Sequence, residues 1–439
     1  MNRWRQLAIG SIVPGALALV LIGIVWMKWR PQEPMPTTPA PVGSPGGPPT
    51  TAEDLHRVIA DLEQRVAKRP NDAGAAARLA DVLLRQARVA SNPGLAVRAE
   101  EVLKIALDRE PNNYDAMRAM EAVLLSQHRF EEAIELSSRA RVADPVDAWH
   151  YAVEGDAHLE LGDYPKAFDA FERMMTRRPS SAAYARASYA RELQGDLDGA
   201  LQLMQMATDA TSAHDPEGQA WHHAQSGDLL FQLGRLDAAE REYDHAAFIF
   251  PAHPFAAMGH AKVKAANGDY SGALEIYLEL LKRGPLPNLA ARVGELYEQL
   301  GKPAEAERYY ALAENGWRYD TPEPTLLASF LASHDRKLPE AIKLAEDTAK
   351  RRHDIYTMDA LAWSYFRSGR IADAAKAMAQ AMRTNTKDRG ILYHAAAIAQ
   401  ATGNANNART LLQRSLESNP TFELANAPAA RDLAKQLGA

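Results

Sequence analysis

Histidine, cysteine and acidic side chains are the first candidates for chemistry, because they bind metals and transfer protons. The chain of 439 residues contains 13 histidines and no cysteine. Without cysteine, disulfides, cysteine-ligated zinc and thiol catalysis are excluded. His222 and His223 are adjacent and would point about 100° apart on a helix, which is poor for one metal. His245, His253 and His260 lie on either side of a proline-containing turn, and no HExxH spacing occurs, so we expect no metal site.

Motifs typical of nucleotide-binding and hydrolytic enzymes are also missing. The sequence contains no GxxxxGK[ST] loop, no GxGxxG turn and no GxSxG elbow. Acidic runs such as EEAIE at 131–135 are typical of the solvated face of a helix. We therefore expect a protein that is not an enzyme and that uses no cofactor.

Aromatic side chains combined with arginine are the next candidates, because these residue types dominate protein-binding hot spots. Five suitable residues lie close together in the sequence, namely Tyr356, Asp359, Trp363, Phe366 and Arg367. If they are exposed on a groove, they could clamp an apolar or extended peptide segment. Packing between helices is the alternative, and it is favoured for any single ring but not for all of them.

The segments that would position these groups begin with an apolar stretch. Leu7 to Met27 reads LAIGSIVPGALALVLIGIVWM and contains no charged residue. As a helix rising about 1.5 Å per residue, it would span roughly 30 Å, the thickness of a bilayer's hydrocarbon core. Trp4, Trp26 and Trp29 bracket it, as interfacial aromatic residues do. The sequence therefore predicts a short tail at residues 1–6 and a transmembrane anchor at residues 7–27.

A cleaved signal peptide is the alternative for this apolar stretch. Lys28 and Arg30 follow it where a small-residue cleavage site should lie, so the anchor is favoured. Arg3 and Arg5 precede it, and the positive-inside rule then leans toward a cytoplasmic N-terminus. The rest of the chain would lie outside the cytoplasm, in the periplasm if the anchor crosses a bacterial inner membrane. An organelle-surface receptor with its helical domain in the cytosol is the opposite topology.

Proline and glycine dominate the segment at residues 28–51, and together they block helix and strand. This composition predicts a semi-extended spacer, with a proline-rich ligand for a partner as the alternative. The whole chain has a net charge of −6, although its first 51 residues are basic. Because nucleic-acid binding requires basic patches, we expect protein or peptide partners and no nucleic acid.

A unit of about 34 residues recurs throughout residues 52–422. The clearest copy, at 220–251, has small residues at Gly227 and Ala239 and a large residue at Tyr243. Similar copies occupy 71–111, 114–145, 148–179, 181–214, 254–285, 287–313, 322–354, 355–386 and 389–420. The pattern predicts about ten repeats, preceded by a lone helix and followed by a capping helix at residues 423–439.

This pattern resembles the tetratricopeptide-repeat (TPR) family. Each unit would consist of two helices, with small residues such as Gly155 allowing close approach and large residues such as Phe171 filling the space between neighbours. A glycine with positive φ ends the first helix. One unit cannot bury its apolar face alone, so the units must stack. The resemblance implies an all-α solenoid, a right-handed superhelix whose concave face is lined by the first helix of each pair.

In TPR proteins that concave face usually holds the ligand. Carried over by repeat position, the resemblance implies a partner-binding groove formed by Trp149, Tyr189, Trp221, Phe231, Phe330, Tyr356, Asp359, Trp363, Phe366, Arg367 and Tyr393. Asp156, Asp228, Lys262 and Glu295 occupy equivalent polar positions. The asparagine of the carboxylate clamp found in chaperone-binding TPR domains is replaced, for instance by Val153, so docking of acidic chaperone tails is not expected.

These observations together predict a membrane-anchored scaffold that binds partner proteins through its groove, in envelope assembly or in organising a complex. Two alternatives remain. The chain could be an integral structural subunit of a larger membrane complex, with its anchor and spacer packed on other subunits, or an import-type receptor on an organelle surface. The repeat pattern does not determine the oligomeric state.

Overall fold

A computed structural model describes most of the chain beyond the predicted spacer. The described residues are 51–90, 92–251, 253–284, 286–320, 324–417 and 424–438. The predicted tail, the anchor and all of the spacer except Thr51 lie outside them. Within the described ranges, every helix is too short or too polar to cross a bilayer, so the anchor stays a prediction.

The regular structure of the described residues is helical throughout, with 22 α-helices and one π-helical turn and with no strand. The first helix, α1, is Ala52–Lys68. The others are α2 Ala73–Ala90, α3 Gly94–Arg109, α4 Tyr114–Ser126, α5 Phe130–Ala143, α6 Trp149–Leu161, α7 Tyr164–Arg177, α8 Ser181–Leu193, α9 Leu197–Asp209, α10 Pro216–Gln232, α11 Leu236–Ile249, α12 Pro254–Ala266, α13 Tyr270–Arg283, α14 Pro287–Gln299, α15 Pro303–Asn315, the π-turn Gly316–Asp320, α16 Pro324–Ser333, α17 Leu338–Thr348, α18 Ile355–Arg367, α19 Ile371–Ala381, α20 Arg389–Ala401, α21 Ala405–Leu416 and α22 Ala427–Leu437.

These helices stack as consecutive pairs, from α2 with α3 to α20 with α21. The ten predicted repeats fall on these pairs, while α1 precedes them and α22 packs on α21 at the end. The predicted all-α solenoid of helix pairs is therefore confirmed for the described residues.

Glycine in the first helix of a pair gives a neighbouring aromatic ring room to pack. A Cβ atom at Gly155 would lie 2.3 Å from the ring of Phe171, and one at Gly227 would lie 2.4 Å from Tyr243. Gly259 of the next repeat also packs against Tyr243, which is completely buried. Packing of the large side chains against the small residues of the repeat pattern thus holds helices together, both within one repeat and between neighbouring repeats.

The solenoid coils tightly enough for residues far apart in the sequence to touch. The Ile355 amide donates to the Tyr164 hydroxyl over 2.8 Å, across a sequence separation of 191 residues. The His353 amide donates to the Leu161 carbonyl over 2.9 Å. The Arg389 guanidinium donates to the Gln232 carbonyl over 3.1 Å. Contacts of this kind join successive turns of the superhelix and enclose its concave side.

Two helix-ending glycines lie at these contacts between turns. Gly162 and Gly195 have φ values of +85° and +74°, which favour glycine at the end of a helix. A Cβ at Gly162 would lie 2.3 Å from the His353 carbonyl carbon, and one at Gly195 would lie 2.6 Å from the Asn385 oxygen. The equivalent Gly301 has no atom within 4 Å of its Cβ position. At the first two positions, glycine is therefore required by close approach as well as by conformation.

Candidate binding cavity

The concave side of the superhelix contains a cavity of about 810 Å³, large enough for a small molecule or several side chains. Most of its lining comes from first helices of the pairs, chiefly α8 and α10. Asp215 and Asp388 cap two of these helices by accepting from the Gly218 and Ile391 amides. The capping residues therefore fix where these two helices begin beside the cavity.

Three of the predicted groove residues line this cavity: Tyr189 on α8 and Trp221 and Phe231 on α10. All three are half-buried, so each presents part of its ring to the interior space. Burial raises the pKa of the Tyr189 hydroxyl well above its usual value, and this hydroxyl therefore remains a hydrogen-bond donor at neutral pH. The trio supplies a mainly apolar surface.

Charged side chains alternate with these rings, and many of them are paired. Arg186 Nε and Nη2 donate to the two carboxylate oxygens of Asp156 over 2.9 and 2.7 Å. Lys262 Nζ donates to Asp228 Oδ1 over 2.7 Å, and the Tyr243 hydroxyl donates to the same oxygen over 2.7 Å. The charged side chains at the predicted polar groove positions are thus held in place by these ion pairs and hydrogen bonds.

A second set of ion pairs joins the first repeat to α10. Arg88 Nε and Nη2 donate to the two oxygens of Glu217 over 2.6 and 2.7 Å. Arg85 Nη1 donates to Asp215 Oδ1 over 3.0 Å. These residues were not predictable from the sequence, because the pairs span about 130 residues and no local motif marks them. They form one wall of the cavity.

Glu192 is the cavity carboxyl whose protonation changes near neutral pH. It accepts a hydrogen bond from Gln232 Nε2 over 2.6 Å. Burial raises its pKa to about 7, and the negative charges of Asp228 and Asp388 add to this effect. The arrangement concentrates negative charge beside the aromatic trio once Glu192 ionises, which suits a cationic group on a ligand.

Other predicted groove residues lie outside the cavity lining. The Trp149 indole Nε1–H donates to the buried Glu121 over 2.7 Å, and Arg118 lies over its ring at 4.8 Å from the centroid. Phe330 is buried against Trp317, with ring centroids 5.3 Å apart. Glu295 is buried and accepts from Arg292 over 2.7 Å. These side chains pack within the repeats, so the expectation of an exposed groove position does not hold for Phe330 and Glu295.

The predicted aromatic clamp on α18 is partly buried in an interior cluster. Trp363 is only 2 % exposed and stacks on His394 and Phe366 with centroid distances of 3.9 and 5.0 Å. Tyr393, also buried, meets the indole edge-on at 5.6 Å. Asp359 is buried and lies 3.0 Å from His394 Nδ1. These buried residues therefore pack in the interior and do not form the predicted exposed clamp.

Three members of that predicted clamp keep access to solvent. Tyr356 is 39 % exposed, and Arg367 is half-buried, lies over the Trp363 ring and pairs with Asp335. Phe366 is half-buried as well. Asp359 and Trp363 are buried because α18 packs on α16 and α20. Residue spacing along one helix cannot reveal this packing.

Two groups of potential metal ligands lie on α10, α11 and α12. The first consists of His223, Glu242 and His245, and the second of Glu240, Asp244 and His260; within each, the ligand atoms lie within 4.8 Å of one another. The sequence predicted no metal site, because the histidines lack a ligand spacing such as HExxH and lie on either side of a proline-containing turn. Pairing of antiparallel helices brings them together.

Comparisons with known proteins agree with the repeat architecture. A family profile described as tetratricopeptide repeat matches residues 122–182, 152–215, 258–320 and 360–421. No curated protein sequence matches the chain.

Solved structures with similar helical architecture are distant. A human IFIT1 dimer with m7Gppp-AAAA is 15 % identical, with 76 % of this chain and 80 % of that chain covered and a TM-score of 0.49. PilW, titled a widely conserved type IV pilus biogenesis factor, is 15 % identical over 47 % of this chain and 94 % of that chain, with a TM-score of 0.40. At these scores the similarities carry no argument about function.

Proposed function

The chain belongs to the tetratricopeptide-repeat family, and from that premise we propose that it is a membrane-anchored scaffold that binds a segment of a partner protein inside its superhelix. TPR arrays in general serve protein–protein interaction. The observation that carries the proposal is the cavity of about 810 Å³, lined by Tyr189, Trp221 and Phe231 on first helices of the repeats. Half-buried aromatic rings in a concave site are typical anchors for a bound segment.

The charge of the cavity favours a protein segment over nucleic acid. Its lining contains as many basic as acidic side chains, which are Arg85, Arg88, Arg186, Lys262, Arg292 and Arg389 against Asp156, Glu192, Asp215, Glu217, Asp228 and Asp388. Nucleic-acid sites carry a clear excess of positive charge. A balanced lining instead suits a segment that carries both apolar and charged residues.

We expect the bound segment to place a basic residue beside an apolar one. Glu192, Asp228 and Asp388 lie close enough for the two aspartates to raise the pKa of Glu192. Asp228 is already paired with Lys262, so a lysine or arginine from a partner would pair with ionised Glu192, while an adjacent apolar side chain would contact Trp221 or Phe231. The two contacts together would define a short recognition motif.

Membrane attachment and topology form the second part of the proposal. They rest on the uncharged segment at residues 7–27 and on the proline-rich spacer at residues 28–51. With a cytoplasmic N-terminus, the repeats would lie in the periplasm and act in envelope assembly or complex organisation. Carbonate extraction and protease accessibility of the repeats in intact spheroplasts test both points. Release by carbonate, or protection of the repeats in spheroplasts, would contradict them.

Photo-crosslinking in native membranes tests the binding cavity. A photoreactive phenylalanine analogue replaces Phe231, which lines the cavity, and in a matched variant it replaces Phe248 of the same repeat, which is 87 % exposed outside the cavity lining. We expect a defined protein to be captured from position 231 and not from position 248. Capture of one membrane subunit from both positions would instead favour an integral structural subunit, and no capture from position 231 would reject the cavity.

A further inference from the structure

Two imidazoles and one carboxylate converge on the paired helices α10 and α11. His223 lies on α10, while Glu242 and His245 lie on α11. His223 Nδ1 is 2.7 Å from Glu242 Oε2, and the rings of His223 and His245 have centroids 5.4 Å apart at an interplanar angle of 76°. Each residue offers a ligand atom within 4.8 Å of the other two.

We propose that His223, Glu242 and His245 bind a zinc ion. Two histidines and a glutamate, with a fourth position left to water or another ligand, form a donor set that zinc accepts in proteins. Zinc bonds of roughly 2.0–2.2 Å place tetrahedral ligand atoms about 3.3–3.6 Å apart. The distance of 2.7 Å from His223 Nδ1 to Glu242 Oε2 is shorter than this value, and all three ligand atoms lie within 4.8 Å of one another, so the side chains are close enough to share one ion after small adjustments.

The surroundings of the three residues fit a site that an ion can enter. The side chains of His223 and Glu242 are 20 % and 25 % exposed, and His245 is exposed. Partial burial limits the motion of two ligands, whereas the third lies at the surface where an ion arrives. The hydrogen bond between His223 and Glu242 already orients the imidazole toward the carboxylate.

The other flank of α11 carries a group of similar size but different chemistry. His260 Nδ1 is 2.9 Å from Glu240 Oε1, and His260 Nε2 is 3.8 Å from Asp244 Oδ1. One imidazole and two carboxylates form a harder donor set, which suits zinc less well than two imidazoles do. This second group therefore provides a matched internal control on the same helix.

A bound zinc ion would connect the two helices of the repeat that forms part of the cavity wall. His223 follows Trp221 by two residues on α10, and Phe231 lies farther along the same helix. Zinc would therefore hold α10, with its two cavity rings, against α11. The proposed metal is structural, and no catalytic step is assigned to it.

Zinc titration of the full chain, purified without a polyhistidine tag, tests the site by competition with a chromophoric chelator. We expect one zinc ion per chain. His245→Gln and His223→Gln should each weaken binding by more than about tenfold, since loss of even an outer-shell partner typically costs 10–100-fold. His260→Gln, on the opposite flank of α11, should bind zinc like the unaltered chain.

Thermal unfolding gives an independent measure. Zinc should raise the Tm of the unaltered chain and of His260→Gln but not that of His245→Gln, because only a ligand of the folded state stabilises it. Circular dichroism without zinc should be the same for all three. The proposal is overturned if the unaltered chain binds no zinc at micromolar concentration, if His245→Gln binds it equally well, or if His260→Gln removes the binding.

Discussion

Glu121 provides the sharpest test of the energetics of the repeat stack. Its side chain is completely buried, with Oε2 accepting from Trp149 Nε1 over 2.7 Å and Oε1 3.9 Å from His150 Nδ1. Burial raises the pKa of this carboxyl from 4.5 to about 8, against a smaller opposing effect of the Trp149 hydrogen bond. The folded protein therefore holds the proton at pH 7, whereas the unfolded chain has released it.

The substitution Glu121→Gln should stabilise the protein at neutral pH. Glutamine has the shape of the protonated acid and can still accept from Trp149. In the unaltered chain, the free energy of unfolding falls by about 1.4 kcal/mol per pH unit while only the unfolded state ionises. Between pH 4.5 and pH 7 this amounts to on the order of 3 kcal/mol. The advantage of glutamine should vanish below pH 4.5 and stop growing above about pH 8.

Urea unfolding followed by circular dichroism from pH 4 to pH 9 measures this difference. Because repeat arrays need not unfold in one step, amide hydrogen exchange in α4 and α6 should locate the effect at Glu121. An equal difference between variant and unaltered chain at pH 5 and pH 8 would refute the reasoning, as would a variant that is less stable throughout.

Glu100 provides a control, because its pKa is shifted in the opposite direction to that of Glu121. Burial acts to raise its pKa, but hydrogen bonds from Lys104 and Arg129 outweigh this and lower it to about 2. Its ionised form therefore stabilises the fold above pH 4.5, and this contribution is lost as the pH falls toward 2. Glu100→Gln should accordingly destabilise the protein at neutral pH, and the loss should shrink only in acid.

Three further predictions concern the contacts between turns and the cavity. Gly301→Ala should lower the free energy of unfolding by roughly 1–2 kcal/mol from left-handed backbone strain alone. Gly162→Ala should cost clearly more in the same urea titration, since its Cβ also meets the His353 backbone; equal losses would contradict the close approach. Affinity for a basic partner segment should rise as the pH increases through about 7 in a fluorescence titration, and Glu192→Gln should remove this dependence. Trp221→Ala should weaken that binding by about 2 kcal/mol or more if the ring is an anchor, and unchanged affinity would exclude that role.

Helices and repeats were predictable because their signals are local. The recurrence of Gly227, Ala239 and Tyr243 at equivalent positions requires only that two helices of one unit pack closely. The aromatic ring of Tyr243 does lie against Gly227 and against Gly259 of the following repeat. A glycine at the end of a first helix, such as Gly301, likewise adopts the expected positive φ.

The roles of individual aromatic residues were not predictable to the same degree. Trp221 and Trp363 both occupy positions assigned to the groove, yet one lines the cavity and the other is 2 % exposed against His394. The two rings differ in exposure because different neighbouring first helices pack over them. That coverage depends on the local stacking of three repeats, and the residue types alone do not report it.

The amino-acid sequence by itself determined the repeat unit, the all-α fold and the lack of cysteine chemistry, because each depends on composition or on residues within one unit. Only the tertiary structure decided that Arg88 meets Glu217 and that Gly162 meets His353. Contacts between turns depend on the rotation from each repeat to the next, summed over several repeats. Small differences in that rotation accumulate along the solenoid, so the residues that enclose its cavity are set by the whole stack and by no single unit.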